Sequence, residues 1–136
     1  MTAFFSGCTN DQLRQVELFA DLDESTLEEL KKYSHFMGAH PGLHVIRQDD
    51  TGFQLYVILS GEAEVRRDGE VVAQLGKGDV FGEMALLSDR HRNADVVATT
   101  VMSMMTMTAG AFRQIADAYP EIERRIRRLA EDRLNS

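Results

Sequence analysis

Gly82-Glu83 and Arg92 bracket the stretch of this chain whose residue types could do ligand chemistry, "FGEMALLSDRHRNADVVA" from Phe81 to Ala98. "EMALLS" is too short for a free-standing helix. A short helical turn here would aim the unpaired N–H groups of Met84, Ala85 and Leu86 at its N-terminal end, and such an end holds an anion. Gly82 lets the backbone approach closely. Arg92 follows the turn and begins the next strand, where its planar fork can grip two phosphate oxygens. Glu83 repels phosphate but accepts hydrogen bonds from a sugar hydroxyl. The segment therefore has a hydroxyl-binding end and an anion-binding end. Taken alone, Glu83 and Arg92 could equally form a structural ion pair.

The flanking elements must place these residues. "NDQLRQVELF" has Leu13, Val16 and Phe19 at helical spacing, which predicts a short amphipathic helix. "LDESTLEELKKY" predicts another, with Asp23 as N-cap or, slightly shifted, a Ser25–Glu28 capping box. From about Ser34 turn signals recur roughly every 7 to 10 residues, the mark of many short strands. Between them lie "HVIRQ", "FQLYVIL", "EAEVRR" and "EVVAQL", and "RRDGEV" is a type I′ hairpin signal. "NADVVATTVMSMMTMT" reads as two successive strands or one bent strand. Its methionines, Met102 to Met107, read as core filling, with a methionine-lined ligand surface as the sharper alternative. "AGAFRQIADAY" predicts a helix ending at Pro120. Pro120 then opens a last helix with a stripe of Ile122, Ile126, Leu129 and Leu134.

This order predicts one α+β, mainly β domain: an eight-stranded antiparallel jelly-roll barrel flanked by helices. Residues 1–33 are N-terminal helices and 34–108 the β-roll, with the ligand segment at 81–96. Residues 109–136 are the C-terminal helices.

The 136 residues carry a net charge of −7, so an anion site must be built locally against an unfavourable field. The basic run Arg124 to Arg128 is diluted by Glu121, Glu123, Glu131 and Asp132, which argues against direct nucleic-acid binding. No apolar run reaches the ~20 residues of a membrane helix, and the N-terminus lacks the pattern of a secretory signal. The single Cys8 fits a buried thiol in a reducing cytoplasm. His40 and His44 across Pro41-Gly42 lack the further ligands of a metal site. No Ser-His-Asp order or cysteine motif suggests an enzyme.

Phe81-Gly82-Glu83-Met84-Ala85-Leu86, followed by Arg92-Asn93-Ala94-Asp95-Val96, resembles the phosphate-binding cassette of the cyclic nucleotide-binding domain family. That family is shared by the bacterial catabolite activator, cyclic-AMP-dependent kinase regulatory subunits and cyclic-nucleotide-gated channels. The likeness extends through "LFADLDESTLEEL", "IRQDDTGFQLYVILSGEAEVRRDGEVVAQLGKGDVFGE" and the closing helices. It implies a regulatory domain that binds a cyclic nucleotide, cAMP ahead of cGMP, with no cofactor. Glu83 would take the ribose 2′-hydroxyl, and Gly82 with the amides of Met84 and Ala85 would supply backbone contacts. Arg92 would pair with the cyclic phosphate, while Asn93 and Ala94 would lie near the phosphate and one edge of the base.

The resemblance also implies a lid. The last helix would close over the base, with Arg124, Arg125, Arg127 or Arg128 against the purine. Partners implied are an effector domain or protein and a homodimer through the terminal helices. A transcription factor of this family would continue into a helix-turn-helix beyond Ser136. Two residues depart from the pattern. Asp95 stands where Thr or Ser is usual, and strand alternation turns it away from Arg92. His91 stands where Pro is common, as a solvated turn residue or a second cation near the phosphate. The alternative reading is a degenerate fold that serves as a structural or dimerisation module without nucleotide.

Overall fold

A capped turn starts the chain's first helix. Thr9 and Gln12 form a reciprocal capping box, and α1 spans Asn10–Arg14. The computed structural model describes residues 9–47, 54–82 and 94–134, with side chains through Arg128. Cys8 lies outside them. The expected continuous helix over "NDQLRQVELF" is instead two pieces, because Val16 adopts an extended conformation (φ −83°, ψ 122°) before a 3-10 helix at Glu17–Phe19. That break lets the adjacent Leu18 and Phe19 both turn inward, beside Leu13 and Val16. α2, Glu24–Lys32, starts at Asp23, whose carboxylate accepts from the Thr26 N–H at 2.8 Å. Asp23, not Ser25, is the cap.

Eight strands follow among the described residues. They are β1 (His35–Ala39), β2 (His44–Ile46), β3 (Gln54–Ser60), β4 (Ala63–Arg67), β5 (Glu70–Leu75), β6 (Val80–Phe81), β7 (Asp95–Ala98) and β8 (Met102–Thr108). Their ladders form two four-stranded antiparallel sheets, ordered β1-β8-β3-β6 and β2-β7-β4-β5. The expected single barrel is, among the described residues, a pair of sheets that no ladder joins. The β4–β5 hairpin has the expected type I′ character, with Asp68 at φ 53° and Gly69 at φ 85°.

β7 and β8 are separate strands in separate sheets. The corner between them is held by Thr99 N–H on the Glu62 carbonyl at 3.0 Å and by Glu62 N–H on Thr100 Oγ1 at 3.0 Å. It also needs Gly61, whose φ is 93°. A Cβ there would stand 2.4 Å from the Met102 Cβ and 2.5 Å from the Val101 carbonyl oxygen.

β8 runs between β1 and β3 and is buried on both faces, so it shows no polar alternation. Met102 and Met104 enter a core inside the roll, with Ala39, Ile58, Phe81 and Val96. Met105 and Met107 enter a second core beneath the helices, with Leu13, Phe19, Leu30 and Ile115. The methionines are core residues of both.

The chain then forms α3, Ala109–Ala118, capped by Thr108 Oγ1 on the Ala111 N–H at 3.1 Å. Tyr119 leaves the helical region (φ −135°, ψ 75°), and Pro120 opens α4, Pro120–Leu134. Ile122 and Ile126 are buried in the helix-side core.

Candidate functional site

The approach to the site is a clamped turn. In "GKGD" the Gly76 N–H donates to Asp79 Oδ2 at 2.7 Å, and Asp79 N–H returns to the Gly76 carbonyl at 3.0 Å. Gly78, at φ 89°, donates to the Ile58 carbonyl at 2.8 Å, and Ile58 N–H donates to the Asp79 carbonyl at 2.9 Å. The turn is thus fixed to β3. β6 leaves it with Val80 opposite Val57 and Phe81 opposite Tyr56. The Tyr56 and Phe81 rings stack with centroids 4.8 Å apart and planes 6° from parallel. Gly82 follows at φ 84°, a conformation that a side chain rarely adopts.

The segment returns at Ala94, which is 6% exposed, and enters β7. β6 belongs to one sheet and β7 to the other, so the cassette spans from sheet to sheet. Of the sequence-predicted site residues, Gly82 and Ala94 are placed, at its two ends. Glu83, Met84, Ala85, Arg92 and Asn93 lie outside the described residues, as does His91.

Between the sheets the interior is apolar and incompletely covered. Ile46, Ile58, Ala63, Leu75, Phe81, Val96 and Ala98 are buried, while Met37, Val45, Tyr56 and Val65 pack against them only partly buried. This apolar interior adjoins both ends of the cassette, through Phe81 before Gly82 and Val96 after Ala94. The sequence reading missed the Tyr56–Phe81 stack; the signal was there, as an aromatic in each of two strands joined by turn chemistry.

Asp95 points to the face of β7 opposite Val96 and Ala98, as alternation required. Its Oδ2 lies 3.6 Å from His44 Nδ1 on β2. That distance is within ion-pair range but too long for a hydrogen bond.

Three arginines of α4, Arg124, Arg125 and Arg127, are engaged. Arg124 pairs with Glu121 at 2.5 Å and Arg127 with Glu123 at 2.7 Å, along the helix. Arg125 reaches off it. Its Nη1 donates to the Leu18 carbonyl at 2.8 Å and its Nη2 to Asp21 Oδ2 at 2.7 Å, tying α4 to the 3-10 segment. The Arg125 hydrogen bond holds the Asp21 carboxyl below its usual range, and Asp21 raises Arg125 in turn. Beside this contact is an open cleft of about 670 Å³, bounded by Leu18, Asp21, Arg125, Arg128, Gly78 and Asp79. Its charges nearly balance, and it is clearance beside α4 rather than an anion site. Among the described residues no cluster of His, Cys, Asp or Glu could hold a metal, and no helix is long and apolar enough to cross a membrane.

The cyclic nucleotide-binding domain model matches residues 38–119, more than half of the chain. A cAMP-dependent protein kinase regulatory subunit from Yarrowia lipolytica is 37% identical over 105 residues, 76% of this chain and 28% of that protein. The chain therefore spans about a quarter of the length of that curated relative. Among solved structures, the catabolite activator protein of Thermus thermophilus has a TM-score of 0.77 at 26% identity, covering 87% of this chain and 58% of that one. The regulatory subunit of a cAMP-independent protein kinase A from Trypanosoma brucei has a TM-score of 0.75 at 28% identity, covering 85% and 44%. With that match over more than half of its length, and with these relatives, the chain belongs to the cyclic nucleotide-binding domain family.

Proposed function

We propose that the chain senses a cyclic nucleotide, cAMP ahead of cGMP, and passes the signal on through its C-terminal helices. The observation that carries this reading is the left-handed turn at Gly82, which starts the cassette where the stacked Phe81 leaves the apolar chamber. In this reading Arg92 and the amides of Met84 and Ala85 hold the cyclic phosphate, and Glu83 accepts from the ribose hydroxyl. Asn93 and Ala94 lie beside the phosphate and the base. The break at Tyr119–Pro120 is the hinge, and α4 changes position when the cassette is filled. That is a population shift, which requires different nucleotide affinities for two helix positions. Because Arg125 is committed to Leu18 and Asp21, Arg128 is the better candidate to meet a base. An effector domain or protein, or a second copy through the terminal helices, reads the shift.

Calorimetric titration with cAMP and cGMP tests this. Arg92→Ala is expected to lose a charge-assisted interaction of about 1.5–3 kcal/mol, or about 10- to 150-fold in affinity. Glu83→Gln should lose less. Unchanged affinity in Arg92→Ala rejects Arg92 as the anchor. The second reading, a module that keeps the fold without nucleotide, is favoured by the likeness to a subunit of a cAMP-independent kinase. On that reading neither nucleotide raises the melting temperature.

A further inference from the structure

Arg125 joins α4 to a segment that is itself held in place. Its fork meets Asp21 twice, Nη1 on Oδ1 and Nη2 on Oδ2, each at 2.7 Å, and Nη1 also donates to the Leu18 carbonyl at 2.8 Å. Leu18 and Phe19, just before Asp21, are buried in the helix-side core. Leu22, just after it, accepts at its carbonyl from Arg14 Nε at 3.4 Å, and Arg14 pairs with Glu24 at 2.7 Å. Gln15 Oε1 accepts from Lys77 Nζ at 2.5 Å, in the clamped turn that leads into β6. Asp21 therefore stands on a fixed post, and α4 is the arm fastened to it.

The arm is held on the helix side of β8. Ile122 and Ile126 are buried in the core beneath the helices, and no described residue of α4 enters the core inside the roll. At the base of the arm Tyr119 leaves the helical region before Pro120. The open cleft of about 670 Å³ lies beside Arg125 and Arg128 and is also bounded by Gly78 and Asp79 of the clamped turn. So α4 has a pivot, room on one flank and a forked ionic contact that resists its leaving.

We propose that the contact of Arg125 with Asp21 and Leu18 is an autoinhibitory latch, which holds α4 in the position that binds cyclic nucleotide weakly. This inference rests on the movement of α4 proposed above. Apparent affinity is reduced in proportion to the fraction of molecules in the competent position, so a change that opens the latch raises that fraction and tightens binding. The Asp21 side chain is 69% exposed, so solvent screens the pair, and its release is expected to tighten binding about 2- to 5-fold. Losing the bond to Leu18 as well should tighten it further, to about 10-fold.

The experiment is a calorimetric Kd for cAMP and for cGMP with the full chain, with Asp21→Asn, with Arg125→Gln and with the double variant, each also unfolded in urea. Asp21→Asn removes a negative charge and Arg125→Gln a positive one, so the overall field of the protein acts on an anionic ligand in opposite senses in the two. The latch predicts tighter binding and lower stability in both, with the double variant matching Arg125→Gln, because all three open one contact. Asp21→Asn carries the test if Arg125→Gln fails to fold. Lys32→Gln breaks an exposed pair with Glu29 inside α2 and should leave the Kd unchanged. Tighter binding in Asp21→Asn with weaker binding in Arg125→Gln is the field alone and overturns the inference. Unchanged or weaker binding in both folded variants overturns it too and leaves the cassette reading standing. No binding of either nucleotide by any of these proteins overturns both.

Discussion

The two cores on either side of β8 are built from different materials. Beneath the helices, Leu13, Val16, Phe19, Leu27, Leu30, Ile115, Ile122 and Ile126 are all essentially inaccessible. They come from five helical pieces, α1, the 3-10 segment, α2, α3 and α4, and pack against Met105 and Met107 of β8. Inside the roll, the buried positions include Ala39, Ala63 and Ala98, and four neighbours are only partly covered. The first core holds the domain together. The second is lined by smaller residues and by side chains only partly covered. On the proposed function, stability and recognition are divided between two faces of one strand, and each face can be altered separately.

The largest effect should come from the sealed side. Phe19→Ala opens a cavity there and is expected to cost about 3–5 kcal/mol in urea unfolding, with cAMP affinity preserved while the protein is folded. A parallel loss of affinity would erase the division. A smaller effect is expected on the roll side. Phe81→Leu forfeits the stack on Tyr56, about 0.5–1.5 kcal/mol of stability, yet it should weaken nucleotide binding more than Phe19→Ala does, because Phe81 sets the entry to Gly82. Equal binding in the two variants would break the comparison from the other direction.

The smallest effect is electrostatic. Asp21 and Asp23 are held below the ordinary carboxylate value of 3.8, by Arg125 and by the Thr26 N–H respectively. A lowered folded-state pKa means that the stabilisation is complete above that value and disappears as pH falls through the lowered one. Asp21→Asn should therefore be less stable than wild type near neutrality and should show a shallower acid limb, the two converging as pH falls. An identical limb would mean that the Arg125 contact has no thermodynamic weight.

Local chemistry was legible in the sequence. Asp23 caps α2 and Asp68-Gly69 turns the β4–β5 hairpin, because each needs only its immediate neighbours. The cassette ends were legible through a motif, and Gly82 and Ala94 fall where that motif requires a turn and a return. What failed was set by distant packing. The break at Val16 follows from burying Leu18 as well as Phe19, and no spacing rule announces it. β1, "HFMGA", was not named as a strand, because it lacks alternation and is recognised only by its ladder to β8. Arg125 looked like one of several helix arginines, since its partners Leu18 and Asp21 are more than a hundred positions away in the chain.

The four thioethers of β8 stand back to back, two facing each core. An unbranched, polarisable side chain can refit its surroundings by torsion alone. This partition can therefore give way to a bulkier guest on one side without moving its backbone and without disturbing the other. The same economy is a liability towards peroxide: once unfolding admits an oxidant, converting these sulfurs to sulfoxides puts polar groups into both rooms at once.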